Sequence, residues 1–245
     1  MDTASNRALS TALDLLRDPP AKPDLGKGYL DLLGAGSGEA PKNSGFIQKA
    51  WASPVGSMLY DHAQLLNRRL LTAFHPPIDW LGIPSGGVAL DVGSGPGNVT
   101  AALARAAGLD GVALGVDISE AMLERAVKAE ASRQVGFVRA DAQQLPFRDE
   151  TFDAAVSLAV LQLVPDAEAA LSEMVRVLKP GRRMAIMVPT AGHGGPMRFL
   201  SRGGARFFAE DELGDIFEEL GLVGVRTKTL GFLQWVRGQK PLDAR

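Results

Sequence analysis

Three acids each close an apolar run: Asp91 in "VALDVGSGPGNVT" (residues 88–100), Asp117 in "GVDIS" and Asp141 in "RADAQQLPF". After the first acid come Gly93, Gly95 and Gly97, at alternate positions. Glycine permits a tight turn there and lets a ligand come against the main chain. A dinucleotide fingerprint needs its third glycine one place later, where Asn98 stands. It also aims main-chain N–H groups at a pyrophosphate, which a nearby acid repels. Asp91, two residues before Gly93, therefore fits a cationic ligand better than a diphosphate. Asp117 is placed to accept hydrogen bonds from both hydroxyls of an adenosine ribose, a role common to several nucleoside cofactors. Asp141 can take an exocyclic adenine amine; it also reads as the cap of the turn before Leu145 and Pro146.

A glycine pattern is informative only in its setting. Gly34, Gly36 and Gly38 in "GAGSG" repeat the spacing, but they follow a helical piece and precede no helix. The second copy has the strand "VALDV" before it and a small-residue helix, Val99 to Ala107, after it. The alternation continues through "GVALGVD", the helix "SEAMLERAVKAEA" with Ser119 as N-cap, and the strand "VGFVRAD". It ends in "FDAAVSLAV" as strand, "DAEAALSEMVRVLKPG" as helix and "RMAIMVP" as strand. Strands separated by helices at this spacing need crossover connections, which predicts a doubly wound, Rossmann-like, mostly parallel α/β sheet. Ligands of such sheets sit beyond the carboxyl ends of the strands. The final unit departs from the pattern: after the helix "EDELGDIFEELG", the stretch "VGVRTKTLGFLQWVR" reads as two strands turning at Gly231, an antiparallel hairpin at the sheet edge.

The chain has 245 residues, 46% hydrophobic and 22% charged, enough to bury a full-size core. Ala8, Leu9, Ala12, Leu13 and Leu16 recur at helical spacing until "RDPPAKPD" ends that helix. A second helical stretch is expected from Gln48 to about Leu71. The expected organisation is an N-terminal helical cap over 1–75 and the sheet domain over 76–245, with a cap insertion at about 190–208. Twenty-six basic and twenty-eight acidic residues give a net charge of −2, with no field to attract nucleic acid. The absence of cysteine removes disulfides, thiolate metal sites and a cysteine nucleophile, and no metal is expected. No secretory start and no long uncharged apolar run are present, so no membrane insertion and a cytoplasmic location are expected.

The set "LDVGSGPG", "GVDIS", "ADAQQLPF", "FDAAVSLAVLQLV" and "RVLKPG", in this order, resembles class I S-adenosylmethionine-dependent methyltransferases, in the branch of quinone-biosynthesis and small-molecule enzymes. The likeness is strong from about 86 to 189, weaker from 207 to 236, and absent before about 45. It implies a seven-stranded sheet with an antiparallel final strand. It implies that Asp91, Gly93, Ser94, Gly95 and Gly97 surround the methionine part of the cofactor. Asp117 and Ile118 would hold ribose and adenine, and Asp141 and Ala142 would flank the adenine. Ser157 and Leu158 would close the site after the fourth strand of the family pattern, and Met122 completes the implied cofactor residues. The departure is "KPGRR", where Arg182 replaces the family's second glycine, at the far end of its strand from the cofactor.

A sulfonium methyl group is already a strong electrophile, so the protein's task is to hold a nucleophile in line with it and exclude water. His193, after the strand "RMAIMVP", is the one candidate general base, against an ordinary loop residue. Tyr60 beside Asp61 resembles the family's cofactor lid, against helix packing. Gln162 stands where relatives often carry a histidine near the cofactor, against a solvent-facing polar residue. Phe199, Leu200, Phe207, Phe208, Trp51 and Leu65 could line an apolar pocket, or pack a cap onto the sheet. No asparagine or aspartate followed by two prolines and an aromatic follows "FDAAVSLAV", which argues against methylation of nucleobase amines. The expected function is methyl transfer from S-adenosylmethionine to oxygen or carbon of a small apolar molecule. The rivals are a nicotinamide-dependent oxidoreductase and a non-catalytic S-adenosylmethionine-binding protein. A homodimer is compatible with this reading.

Overall fold

The structure is a computed structural model, and it describes residues 7–34, 78–190, 206–231 and 233–242. Its centre is a sheet of eight strands: β1 (Leu30–Asp31), β2 (Val88–Val92), β3 (Val112–Asp117), β4 (Val135–Arg139), β5 (Phe152–Leu158), β6 (Leu178–Pro189), β7 (Val223–Leu230) and β8 (Leu233–Gln239). They lie in the order β1-β4-β3-β2-β5-β6-β8-β7. All pairings from β1 through β6 are parallel, while β8 runs antiparallel to both β6 and β7. The expected seven strands are present. The eighth is β1, a two-residue addition beside β4 from the segment that precedes the recognisable pattern.

Between the strands run α1 (Arg7–Leu15), α2 (Ile78–Leu81), α3 (Asn98–Ala106), α4 (Glu120–Glu130), α5 (Ala167–Val177) and α6 (Glu212–Glu219). Apolar residues of β2 to β6 and of β8 feed two cores. One face packs residues of α1, α5 and α6, such as Leu9, Leu171 and Phe217, against Leu90 and Leu114. The other packs Leu103 of α3 and Leu123 of α4 against Ala89, Ala113 and Phe137. Ser119 caps α4 as expected, its hydroxyl accepting from the Met122 N–H.

Residues 7–34, which fall in the expected N-terminal extension, pack within this sheet unit. The Ala8 N–H donates to the Arg133 carbonyl, and a side chain at Gly136 of β4 would come within 3.0 Å of Ala8 Cβ. At the opposite end of the strands from the site, buried Asp153 accepts from the Val88 N–H and from Lys179 Nζ, and its other oxygen lies 3.3 Å from Arg182 Nε. Arg182 thus has a structural partner that the usual glycine could not provide, and the β5–β6 register shifts across this stretch.

Candidate active site

Between β2 and α3 the chain turns through Gly93, Gly95 and Gly97, all with positive φ (75°, 50° and 88°). Two of these positions exclude any side chain. A Cβ on Gly93 would lie 2.1 Å from a methyl of Val160, and one on Gly97 would lie 2.6 Å from the Phe137 ring. The donors of the turn are spent internally. Gly93 and Ser94 N–H both donate to the Val116 carbonyl (2.7 and 3.0 Å), Gly95 N–H to Asp117 Oδ2 (2.8 Å), and Gly97 N–H to the Ser94 carbonyl (2.9 Å). Pro96 has none. The loop therefore offers no nest of free N–H groups to a diphosphate, which agrees with the expectation drawn from Asp91 and Asn98.

Asp91 is only 2% exposed, and its Oδ2 accepts from the hydroxyl of Thr100, itself fully buried, at 2.6 Å. Burial pushes this carboxyl up to about 7; the Thr100 hydrogen bond opposes the shift, and the charge of Asp117 adds to it. A cation beside Asp91 would recover the carboxylate. Asp117, at the end of β3, also accepts from the Ser119 N–H at Oδ1 (2.9 Å). Burial raises its carboxyl as well, against the main-chain donors of Ser119, Gly95 and Ile118. These donors leave the Asp117 carboxylate with spare acceptor capacity, which is what a pair of ribose hydroxyls requires.

Beside Asp117, the Ile118 carbonyl accepts from Arg139 Nε, and Arg139 also pairs with Asp31 (3.1 Å) and Glu120 (2.9 Å). The N-terminal segment is thereby tethered to the end of β3 beside Asp117. Met122 lies in the first turn of α4, partly buried. Asp141 caps the turn Ala142–Gln144: its Oδ1 accepts from the Gln143 N–H at 2.9 Å, and the Gln143 side chain covers both oxygens. The capping reading of Asp141 is thus realised, and Ala142 opens that turn. At the end of β5, Ser157 is fully buried with a hydroxyl that has no partner, and Leu158 is partly exposed. Ala159 follows with φ 59°, its N–H donating to the Met187 carbonyl. Gln162 is buried, not solvent-facing, and its Nε2 donates to the Ala159 carbonyl at 2.8 Å.

Phe208 is buried in the core with Leu213 and Phe217, so it packs onto the sheet as the ordinary reading has it. Tyr60, His193, Trp51, Leu65, Phe199 and Leu200 lie outside the described residues, as does the stretch from Gln48 to Leu71. Thr100 and Gln234 were not singled out by sequence. Thr100 carried a usable signal, a hydroxyl in the first turn of the helix that follows the glycine loop, whereas Gln234 sits in a strand pattern that gives none.

A methyltransferase-domain family model matches residues 90–186. Demethylmenaquinone methyltransferase of Staphylococcus aureus strain JH9 is 34% identical over 177 residues, covering 61% of this chain and 73% of the relative. The chain belongs to the class I S-adenosylmethionine-dependent methyltransferases. Among solved structures, a chain of the complex between the Haloferax volcanii Trm112 methyltransferase activator and a methyltransferase superposes with TM-score 0.66, at 19% identity over 75% of this chain and 94% of that one. Haemonchus contortus phosphoethanolamine N-methyltransferase 2, in complex with phosphomonomethylethanolamine and S-adenosylhomocysteine, gives TM-score 0.58 at 19% identity over 82% and 58%. These likenesses concern the fold. Membership of the methyltransferases makes the protein an enzyme with S-adenosylmethionine as its methyl donor, and the oxidoreductase and non-catalytic readings fall away. Among the described residues, no helix is long and apolar enough to cross a membrane.

Proposed function

We propose that this methyltransferase moves the methyl group to carbon or oxygen of a small, largely apolar acceptor, and that the cofactor lies across the carboxyl ends of β2, β3 and β5. The observation that carries this reading is the glycine turn with its internally satisfied donors, flanked by Asp91 and Asp117. Bound S-adenosylmethionine supplies an electrophilic sulfonium methyl group. Asp117 accepts the ribose hydroxyls through its unused lone pairs, with Ile118, Met122 and Ala142 packing against adenine and Asp141 offering its remaining acceptor capacity to the adenine amine. Asp91 faces the cationic methionine end, where Gly93 and Gly95 let the ligand approach the main chain and Ser94 contributes a buried, unpartnered hydroxyl. Ser157 and Leu158 close the other side. Tyr60 as a lid and His193 as a base complete the reading. Within residues 1–75, the part beyond the 7–34 segment that packs into the sheet acts as the cap, anchored through α1 and β1.

The acceptor class is supported by the name of the 34% identical relative, which acts on demethylmenaquinone. The test is incubation of the purified protein with methyl-deuterated S-adenosylmethionine and a panel of phenols, quinols and amines. Expected is S-adenosylhomocysteine together with an acceptor carrying one labelled methyl group on carbon or oxygen. Labelling confined to amines would refute the acceptor class.

A further inference from the structure

Asp117, Arg139 and Asp31 stand in one row across β3, β4 and β1, with Arg139 the register partner of both acids. Arg139 Nη1 pairs with Asp31 Oδ2 at 3.1 Å and with Glu120 Oε1 at 2.9 Å, and its Nε donates to the Ile118 carbonyl at 3.3 Å. The side chains of Arg139 and Asp31 are only 15% and 11% exposed, so solvent and salt screen this pair far less than a surface one. Burial alone would raise the Asp31 carboxyl, but the Gly34 and Leu33 amides and Arg139 outweigh it and hold the group below its ordinary value.

The residues that Arg139 holds are the ones that hold Asp117. Three main-chain N–H groups donate to the Asp117 carboxylate, those of Gly95, Ile118 and Ser119. Two of them belong to the stretch 118–120, which Arg139 grips at both ends, at the Ile118 carbonyl and at the Glu120 side chain. A run of direct contacts therefore leads from β1 to the carboxylate: Asp31 to Arg139, Arg139 to residues 118–120, and their amides to Asp117. Lys27 of the same N-terminal segment pairs with Glu120 and, at 3.4 Å, with Glu124, a second hold on the start of α4. The methyltransferase-domain model matches residues 90–186, so the Asp31 end of this brace comes from outside the family domain.

We propose that Arg139 is a positioning residue for the nucleoside half of S-adenosylmethionine, and that Asp31 of the N-terminal segment is the anchor it works through. This rests on the placement of the ribose at Asp117 proposed above. A carboxylate whose donors are fixed in advance accepts two ribose hydroxyls without first being ordered, whereas one on a loosened 118–120 stretch loses part of that gain on binding. Arginine suits the place because its planar fork serves two carboxylates and a carbonyl at once, which the compact ammonium of lysine does not match.

The test is calorimetric titration of S-adenosylhomocysteine and of methylthioadenosine, which keeps the nucleoside and lacks the amino-acid end. Arg139→Gln is expected to weaken both by the same factor, on the order of tenfold. Asp31→Asn should weaken both severalfold, and added to Arg139→Gln it should cost little more, because the two act through one contact. Arg139→Lys should recover part of the loss. A residue that only stabilised the fold would lower Tm while the folded protein bound both ligands as before. A folded Arg139→Gln protein that binds both within about twofold of the parent, or a loss confined to S-adenosylhomocysteine, overturns the proposal. Should Arg139→Gln not fold, Asp31→Asn decides by the same two criteria. A parent that binds neither ligand, or an Asp117→Ala variant that binds both as tightly as the parent, would instead remove the ribose placement, and the inference falls with it.

Discussion

The Gly95 amide donates to Asp117 Oδ2 at 2.8 Å, so the turn after β2 and the end of β3 are one unit before any ligand arrives. Asp117 has two tasks: it holds the loop and, by our proposal, the ribose. Asp117→Ala should weaken S-adenosylhomocysteine binding by about ten- to a hundredfold, the loss of charge-assisted hydrogen bonds worth roughly 1.5–3 kcal/mol. Calorimetric titration measures this, and a variant binding as tightly as the parent would place the nucleoside elsewhere.

Asp91 makes cofactor affinity depend on pH. Its carboxyl, pushed up to about 7, must ionise to face a cation, so affinity should rise about tenfold per pH unit below about pH 7 and level off above it. The stability of the empty protein moves the other way. The raised carboxyl contributes stability that is fully present below the unfolded value of about 4 and lost as pH rises through about 7. Asp91→Asn should flatten both profiles, read by titration and by thermal unfolding across pH 5 to 9.

Gly97 combines φ 88° with contact against Phe137, so Gly97→Ala brings both backbone strain and a clash. A destabilisation of about 1–3 kcal/mol is expected from the strain alone, and a chain of this size loses about 2–4 °C in Tm per kcal/mol. Adding Phe137→Leu should return the part due to the clash, which a double-mutant thermal series would resolve.

Asp153 ties β2, Lys179 and Arg182 together at the far end of the sheet. Asp153→Ala should cost about 1–3 kcal/mol in denaturant unfolding, below the range for a fully buried pair because Lys179 and Arg182 remain partly exposed. S-adenosylhomocysteine affinity should stay unchanged. A large loss of affinity would mean that the two ends of the sheet are coupled.

NADH and NAD should give no thermal stabilisation, because the Gly93, Ser94, Gly95 and Gly97 amides are already spent within the protein. A thermal shift by either dinucleotide, comparable to that from S-adenosylmethionine, would contradict this account of the loop.

The parallel core of the sheet was legible in sequence because β2, β3 and β4 are apolar runs followed by an acid or a glycine, β5 is a further apolar run, and helices with their own apolar stripes alternate with them. The turn at Gly231 and the capping by Ser119 were equally legible, since both are local chemistry. What stayed hidden was long-range. Nothing near Leu30 and Asp31 announces a strand, because β1 enters the sheet through its pairing with the distant Val138 and Arg139. The burial of Gln234 was likewise unreadable: polarity suggests solvent, whereas its burial depends on residues packed around it from distant parts of the chain.

The position of β8 has a consequence for how the chain acquires its shape during synthesis. It is the last strand in sequence, yet it lies inside the sheet, with β6 on one side and β7 on the other. A nascent chain that has emerged as far as Leu230 carries β7 with no strand to pair with, and β6 with an open edge. Both edges are closed only when residues 233–239 arrive and slot between them. Chains stalled or cleaved before that point expose two unpaired strand edges at once, a state prone to association with other chains.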